Sequence, residues 1–278
     1  MGEQQKMIEV TDPIILVYFS VLAAALGAVF GSFINCAAWR IAHGESFLKG
    51  HSHCAECGHE LKALDLIPVF SYLFLRGKCR YCGKKISPRY VLTEILLAAA
   101  FVLLVLRFGV SWETLRYMGL TVVLLGLSLV DLETYRIPNG FLIAGIVCWA
   151  VTLPLVWPKE GASGLSAWIG SSLAVTLQSS LLGAFVIAGA VLLLSLVFDK
   201  LSGKESLGGG DIKLLFVVGL YLGLAVGFFN LILSCIVGLL FVALMKQKRI
   251  PFGPAISLSA YVSLFVGPAV VSWYMSLF

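Results

Sequence analysis

Charge is scarce in this sequence. Only 13% of its 278 residues are Asp, Glu, Lys or Arg, whereas 59% are apolar and the mean hydropathy is +0.97. Soluble domains carry about 25% charged residues, so this composition indicates a polytopic membrane protein. No small-residue cleavage site follows the first apolar stretch, and we expect residues 13–38 to be a retained span rather than a signal peptide. The basic residues lie beside apolar stretches without interleaved aromatics, which argues against nucleic-acid binding.

Eight apolar stretches are long enough to cross a bilayer, which takes about 20 residues in a helix. They are residues 14–37, 91–109, 115–131, 138–157, 176–198, 212–227, 229–245 and 254–276. The sixth and seventh form one nearly unbroken run, which as a single helix would be about 50 Å long. Because the hydrocarbon core is only about 30 Å thick, we expect a tight hairpin near residues 223–230. The predicted fold is an all-α membrane protein of about eight transmembrane helices.

The basic residues fall mostly on one side of these spans. If the loop 38–90 is cytoplasmic, alternation of the spans puts most of the 20 Lys and Arg residues on that side, in agreement with the positive-inside rule. Both termini are then extracytoplasmic, and Asp131 and Asp211 both lie at the cytoplasmic face. The expected organisation is an N-terminal segment with the first span (1–37), a cytoplasmic loop domain (38–90) and a seven-helix domain (91–278).

Four of the seven cysteines form two C-x-x-C pairs in the loop domain, each followed by a glycine. They are Cys54, Cys57, Cys79 and Cys82. This spacing favours a tetrathiolate Zn²⁺ site, and a metal would stabilise a loop too small to build a sizeable core. Because four thiolates leave no open position, the expected zinc is structural. Disulfides are disfavoured in the cytoplasm, while redox chemistry and an iron–sulfur cluster stay open as alternatives.

Two aspartates, Asp131 and Asp211, each lie where a long apolar stretch meets a short polar one. An ionisable group at the end of a span costs a few kcal/mol and is rare without a function. If both carboxylates face one cavity, their repulsion keeps one protonated while the other accepts a proton from water. That water attacks a peptide carbonyl. The alternative is that both are ordinary helix-end charges, with Asp211 capping the helix that begins at Ile212.

Three glycines, Gly208 to Gly210, precede Asp211, and Lys213 follows it by two residues. Glycines without side chains would let a substrate backbone approach the carboxylate closely. A phosphate-binding loop is the competing interpretation, but no strand precedes the glycines and no Walker lysine pattern follows them. We expect Lys213 either to tune the pKa of Asp211 or to extend to the lipid headgroups.

Five segments together resemble the type IV prepilin leader peptidase family, which belongs to the GxGD membrane aspartyl proteases. They are Gly31–Asn35 with Arg40, the double C-x-x-C loop, Asp131–Asn139, Gly208–Lys213 and Pro251–Pro254. The resemblance covers nearly the whole chain and keeps the order of the segments.

The resemblance implies two activities. One is cleavage of the basic leader of type IV prepilins and type II secretion pseudopilins at the cytoplasmic face of the bacterial inner membrane, with Asp131 and Asp211 as catalytic residues. The other is methylation of the new N-terminus by S-adenosylmethionine. Members without methylation often lack the cysteine loop, so its presence here implies both activities. The sequence has no glycine-rich nucleotide fingerprint, and the S-adenosylmethionine site is implied by resemblance alone.

Three more polar residues are candidates near the inner ends of the first two spans. Glu94, which family members share, is an intramembrane carboxylate and therefore a functional candidate. It is alternatively a structural partner of Arg89 or Lys213. Asn35 and Arg40 are candidates for the methyl-transfer or leader-binding region, although Asn35 would equally serve as a hydrogen-bond partner between helices.

Three other functions would require different features of the sequence. A proton-coupled transporter would need polar residues at midspan, where this sequence is almost purely apolar. A membrane scaffold that binds partners through the zinc loop would tolerate Asp→Asn changes. A presenilin-like protease would have Tyr before its first aspartate, whereas Val130 precedes Asp131 here.

Overall fold

A computed structural model describes residues 13–46, 50–156, 172–203, 207–245 and 251–277. This part of the chain folds into eight α-helices and one 3₁₀ helix, and its only β-type pairing is two isolated bridges. The α-helices are α1 (Pro13–Ala42), α2 (Phe70–Phe74), α3 (Pro88–Phe108), α4 (Trp112–Thr134), α5 (Asn139–Val156), α6 (Ser172–Ser202), α7 (Gly209–Met245) and α8 (Gly253–Met275). The 3₁₀ helix is Ala63–Leu66. The predicted all-α class is confirmed.

Six of the described helices are long and apolar enough to cross a membrane, when α7 is counted once. The shorter apolar helix α5 adds residues Asn139–Leu155. The apolar side chains of these helices are widely exposed, as in α6, where Leu193 and Leu194 are 66% and 71% exposed. A helix that exposes apolar side chains in this way is stable in lipid rather than in water. The chain is therefore a multi-pass membrane protein.

Helix α7 contains the predicted hairpin. Its backbone is not helical at Gly223, where φ is 69° and ψ is −172°. Up to Gly223 the contacts of α7 move toward the N-terminus of α6, from Ala184 beside Gly219 to Ser179 beside Gly223. After Gly223 they move back toward the C-terminus of α6, because Gly227 packs against Ile187. The chain thus reverses at Gly223, and we name its two halves α7a (residues 209–222) and α7b (residues 224–245). With α5 included, the number of membrane helices is about eight, as predicted.

The described residues form two compact units, one ending at Glu133 and the other beginning at Thr134. In the first unit, α1 and α3 pack through glycine. A Cβ atom on Gly27 would lie 2.6 Å from the Leu97 carbonyl oxygen, and one on Gly31 would lie 2.8 Å from Cα of Glu94. Only glycine allows two helices to approach this closely, so the Gly31–Asn35 motif has a packing role.

In the second unit, α7b and α8 carry buried polar side chains. Asn230 and Ser234 of α7b and Ser259 and Ser263 of α8 are each at most 1% exposed. The expectation of almost purely apolar midspans is therefore too strong. Hydroxyl and amide groups of this kind commonly hold membrane helices together. None of the four is ionisable near neutral pH, so they offer no carboxylate or ammonium for proton-coupled transport.

Candidate active site and metal centre

The four loop cysteines come together. Their sulfur atoms all lie within 4.8 Å of one another, and none of the four is in a disulfide. With Zn–S bonds of about 2.3 Å, the sulfurs of a tetrahedral site lie about 3.8 Å apart. The cluster, formed by Cys54, Cys57, Cys79 and Cys82, fits a tetrathiolate metal ion with only small adjustments.

Both cysteine pairs adopt the same turn. The amide of Cys54 donates to the carbonyl of His59 (2.9 Å), and the amide of Gly58 donates back to Cys54 (2.8 Å). The second pair repeats this geometry from Cys79 to Lys84 and from Gly83 to Cys79. Gly58 has φ of 68° and Gly83 has φ of 71°, a region that glycine adopts without strain. The glycine after each pair therefore closes the turn that points two sulfurs at one place.

The sulfur cluster has uneven proton affinities. Amide hydrogen bonds from Cys82 and Tyr81 lower the pKa of the Cys79 thiol to about 7. The Lys84 amide lowers the pKa of Cys82, but burial and the neighbouring sulfurs outweigh it and raise that pKa to about 11. Four thiols this close cannot all ionise without a cation to neutralise them, and a bound divalent metal supplies that charge.

The two aspartates lie at helix ends. Asp131 is in the last turn of α4 and is 4% exposed. Asp211 is half-buried in the first turn of α7a, where its amide donates to the carbonyl of Gly208 (3.0 Å). A Cβ atom on Gly208 would lie 3.1 Å from Oδ2 of Asp211. Gly208 therefore leaves room for this carboxylate.

The polar segment after Asp131 contacts the glycine motif that contains Asp211. A Cβ atom on Gly210 would lie 3.0 Å from Cβ of Ile137, and Nζ of Lys213 donates to Oδ1 of Asn139 (3.2 Å). Both contacts lie in the second unit. Lys213 therefore has a specific partner, the side chain of Asn139, which differs from both roles expected from the sequence. The third glycine of the motif provides close packing between the two segments.

The further candidates Glu94, Asn35 and Arg40 all anchor the loop or pack helices. Oε2 of Glu94 accepts a hydrogen bond from the backbone amide of Val69 (2.7 Å), so its partner is neither of the basic residues considered from the sequence. Asn35 donates to Oγ1 of Thr93 and to the carbonyl of Tyr90, which joins α1 to α3. The guanidinium of Arg40 donates to the carbonyl of His51 (2.8 Å). Arg40 and Glu94 thus attach the loop to the two helices.

A cavity of about 380 Å³ lies between the cysteine loop and the adjoining ends of α1 and α3. Arg40 and Glu94 line it, together with the aromatic residues Trp39, Tyr72 and Tyr90. Sequence reasoning missed the aromatic residues. Trp39 and Tyr90 do lie next to polar residues at the ends of predicted spans, which is the one signal that would have drawn attention to them.

Two family profiles match this chain in succession. The bacterial peptidase A24 N-terminal domain matches residues 25–108, and the type IV leader peptidase family matches residues 118–243. A prepilin leader peptidase/N-methyltransferase of Neisseria gonorrhoeae is 31% identical over 92% of this chain and 94% of its own. This chain belongs to the type IV leader peptidase family. The family resemblance inferred from five sequence motifs is confirmed.

Other relatives in this leader peptidase family agree. A protein of the same name from Aeromonas hydrophila is 35% identical over 82% of this chain and 75% of its own length. Another from Bacillus subtilis is 31% identical over 90% of this chain and 96% of its own length. No solved structure matches the chain. The leader peptidase profile contains both Asp131 and Asp211. The N-terminal profile contains the cysteine cluster, the cavity-lining residues and Glu94.

Proposed function

We propose that this protein is a membrane aspartyl endopeptidase that removes the leader peptide of type IV prepilins and type II secretion pseudopilins. The observation that carries the proposal is the contact between the segment after Asp131 and the glycine motif that contains Asp211. Both sides of this contact lie in the second unit of a chain whose relatives are named prepilin leader peptidases.

Asp131 and Asp211 act as the catalytic pair in this proposal. Two carboxylates that share a site hold one proton between them, because the second ionisation is opposed by the first charge. The ionised group takes a proton from water, the resulting hydroxide attacks the scissile carbonyl, and the protonated group donates to the developing oxyanion. The carboxyl that took a proton from water then gives it to the leaving amine, and the pair again holds one proton. No metal is required at this centre.

An apolar groove beside the second motif suits the apolar stem of the substrate. It has a volume of about 560 Å³ and lies between α5, α6 and α7a. Its polar end is formed by Asn139 and Lys213, and the rest of its lining is apolar, including Ile143, Phe185 and Gly189. An apolar segment that starts just after the scissile bond would leave the Asp211 motif and enter this groove.

The orientation follows from charge. Alternation of the spans predicts that most Lys and Arg residues lie on the side where α4 ends and α7a begins, and the positive-inside rule assigns that side to the cytoplasm. We therefore propose a protein of the bacterial cytoplasmic (inner) membrane whose active site faces the cytoplasm. In this arrangement, residues 38–90 are a cytoplasmic zinc-binding domain and residues 91–278 form the seven-helix peptidase domain.

We also propose that the protein methylates the new N-terminus with S-adenosylmethionine, as the names of its relatives suggest. The 380 Å³ cavity falls in the range of small-molecule sites. The aromatic rings of Trp39, Tyr72 and Tyr90 and the carboxylate of Glu94 suit a sulfonium cation, which binds favourably to both kinds of group. Cys54 and Cys79 also line this cavity, so a structural Zn²⁺ held by the four thiolates would keep its wall in place.

One experiment separates the two activities. The purified protein is incubated in lipid with a full-length prepilin, with and without S-adenosylmethionine, and the products are measured by mass spectrometry. We expect the leader to be lost in both conditions, and a methyl group to appear only when S-adenosylmethionine is present. An intact prepilin in both conditions would contradict the peptidase assignment, whereas cleavage without a methyl group would contradict the methyltransferase assignment alone.

A further inference from the structure

The segment between the two cysteine pairs exposes an apolar face. Leu64, Ile67, Phe70, Leu73 and Phe74 are between 42% and 83% exposed, and Phe74 is the most exposed of the five. Phe70, Leu73 and Phe74 are spaced i, i+3 and i+4 on α2, so they share one side of that helix. We call these five residues the exposed apolar face. Water-soluble loops rarely expose so many large apolar side chains together, and such patches mark interaction surfaces.

The opposite side of α2 faces the cavity of the first unit. Ser71, Tyr72 and Leu75 line the cavity at the ends of α1 and α3. This division makes α2 amphipathic in an unusual way, since one side borders an internal cavity and the other side presents Phe70 and Phe74 outward. The exposed apolar face therefore lies on the side of α2 away from the cavity.

A buried contact fixes this segment beside a membrane helix. The amide of Val69, just before α2, donates to Oε2 of Glu94, which is 8% exposed and lies in the second turn of α3. Glu94 is six residues after the start of α3, or about 9 Å along its axis. Val69 holds a φ of 62° to make this contact, a conformation that β-branched residues rarely adopt. The segment therefore lies alongside the first turns of a membrane span.

The charges around the face favour an anionic surface. Between Lys62 and Lys78 the one carboxylate is Asp65, which is neutralised by Nε of Arg80 (2.6 Å) and accepts a hydrogen bond from Tyr81 (3.0 Å). Although burial opposes ionisation, these hydrogen bonds keep the pKa of Asp65 below its ordinary value. Glu60, nearer the first cysteine pair, lies 3.1 Å from Nδ1 of His51. Lys62, Arg76 and Lys78 flank the segment and are exposed. The segment thus presents apolar side chains bordered by positive charge.

We propose that the exposed apolar face inserts into the membrane interface next to α3, where Lys62, Arg76 and Lys78 bind anionic lipid headgroups. Apolar side chains bordered by basic residues are typical of segments that lie in the interface plane, and each basic residue adds attraction to an anionic leaflet. The partner is lipid rather than protein, because a membrane span holds the segment at this level. The inference stands independently of the peptidase and methyltransferase proposals.

Photo-crosslinking tests this inference. Phe74 and Phe70 are replaced in separate variants by the photoreactive amino acid p-benzoylphenylalanine, and the full chain is placed in nanodiscs of phosphatidylethanolamine and phosphatidylglycerol. After irradiation, mass spectrometry identifies what each position has joined. We expect lipid adducts at both positions, with phosphatidylglycerol enriched several-fold over its share of the bilayer.

Two control positions make the result specific. Tyr72 lies on the cavity side of the same helix, and Glu60 is an exposed residue three positions after Cys57. We expect no lipid adduct at either position, and an unchanged metal content would show that each variant is folded. Adducts of Phe70 and Phe74 with a peptide of the chain itself, or with prepilin when it is added, in place of lipid would overturn the proposal.

Discussion

At the scale of single residues, the glycines before Asp211 differ sharply in their surroundings. A Cβ atom on Gly208 would press on the Asp211 carboxylate at 3.1 Å, and one on Gly210 would press on Ile137 at 3.0 Å. A Cβ atom on Gly209 would meet nothing within 4 Å. The G-x-G-D pattern therefore has a physical basis, because the two required glycines face the carboxylate and the neighbouring segment, while the middle position faces open space.

This difference predicts the effect of three alanine variants. We expect Gly208→Ala and Gly210→Ala to lower kcat/KM for prepilin cleavage at least tenfold, which corresponds to about 1.4 kcal/mol in the activation barrier. Gly209→Ala is the matched control and should stay within about twofold of wild type. The measurement is kcat/KM for prepilin cleavage by each variant in lipid. Equal losses in all three variants would show that the motif needs flexibility and not space.

The cysteine pairs are the part of the site that sequence predicts best, since their geometry is local. The C-x-x-C-G spacing specifies both the ligands and the glycine that turns the chain, and the structure brings all four sulfurs together. The hydrogen bond from Val69 to Glu94 could not be predicted in this way. It joins residues 25 positions apart and depends on how the loop folds back onto α3. The pairing of Lys213 with Asn139 was missed for the same reason.

The cluster predicts one zinc ion per chain. Elemental analysis of freshly purified protein should give about one zinc per molecule, and Cys79→Ser should lose most of it, because a missing thiolate opens the site. Cys148→Ser and Cys235→Ser, in α5 and α7b, are matched controls that should keep the metal. Since Cys54 and Cys79 also line the cavity, we expect Cys79→Ser to reduce methylation more than cleavage. Zinc content that does not respond to Cys79→Ser would refute this site.

At the scale of helices, hydropathy predicted the spans because bilayer thickness fixes their length. The excess length of the run from residue 212 to residue 245 predicted a reversal, and the structure has one at Gly223. Hydropathy could not predict which faces of the helices pack together. The groove between α5, α6 and α7a arises from that packing, and its residues show no signal in the sequence beyond being apolar.

The groove gives a test of substrate specificity. A Cβ atom on Gly189 would meet nothing within 4 Å, so Gly189→Phe should fill the groove without displacing the protein around it. We expect this variant to raise KM for full-length prepilin about tenfold or more, with little effect on a short peptide that ends soon after the cleavage site. Leu194→Phe is the matched control, since Leu194 is exposed on α6 but does not line the groove. Equal effects on both substrates would contradict a stem-binding role.

At the scale of the whole molecule, the two compact units divide the features of the chain between them. The unit that ends at Glu133 contains the cysteine cluster, the cavity and the apolar loop segment, whereas the other contains the glycine motif and the groove. Asp131 and Asp211 lie in different units. Sequence motifs and charge bias predicted that both aspartates belong to one face of the membrane, and the proposed peptidase requires them to act together.

The most direct test of this account is the cleavage rate of the Asp131→Asn and Asp211→Asn variants. Each replacement keeps the shape of the side chain but removes its ability to exchange a proton with water. Glu133→Gln is the matched control, since this carboxylate lies in the same helix end and pairs with Arg89. With full-length prepilin in lipid, we predict that each Asp→Asn variant loses at least 10³-fold in rate, a barrier increase of about 4 kcal/mol, while Glu133→Gln cleaves close to normally. Normal cleavage by either Asp→Asn variant would contradict the catalytic pair.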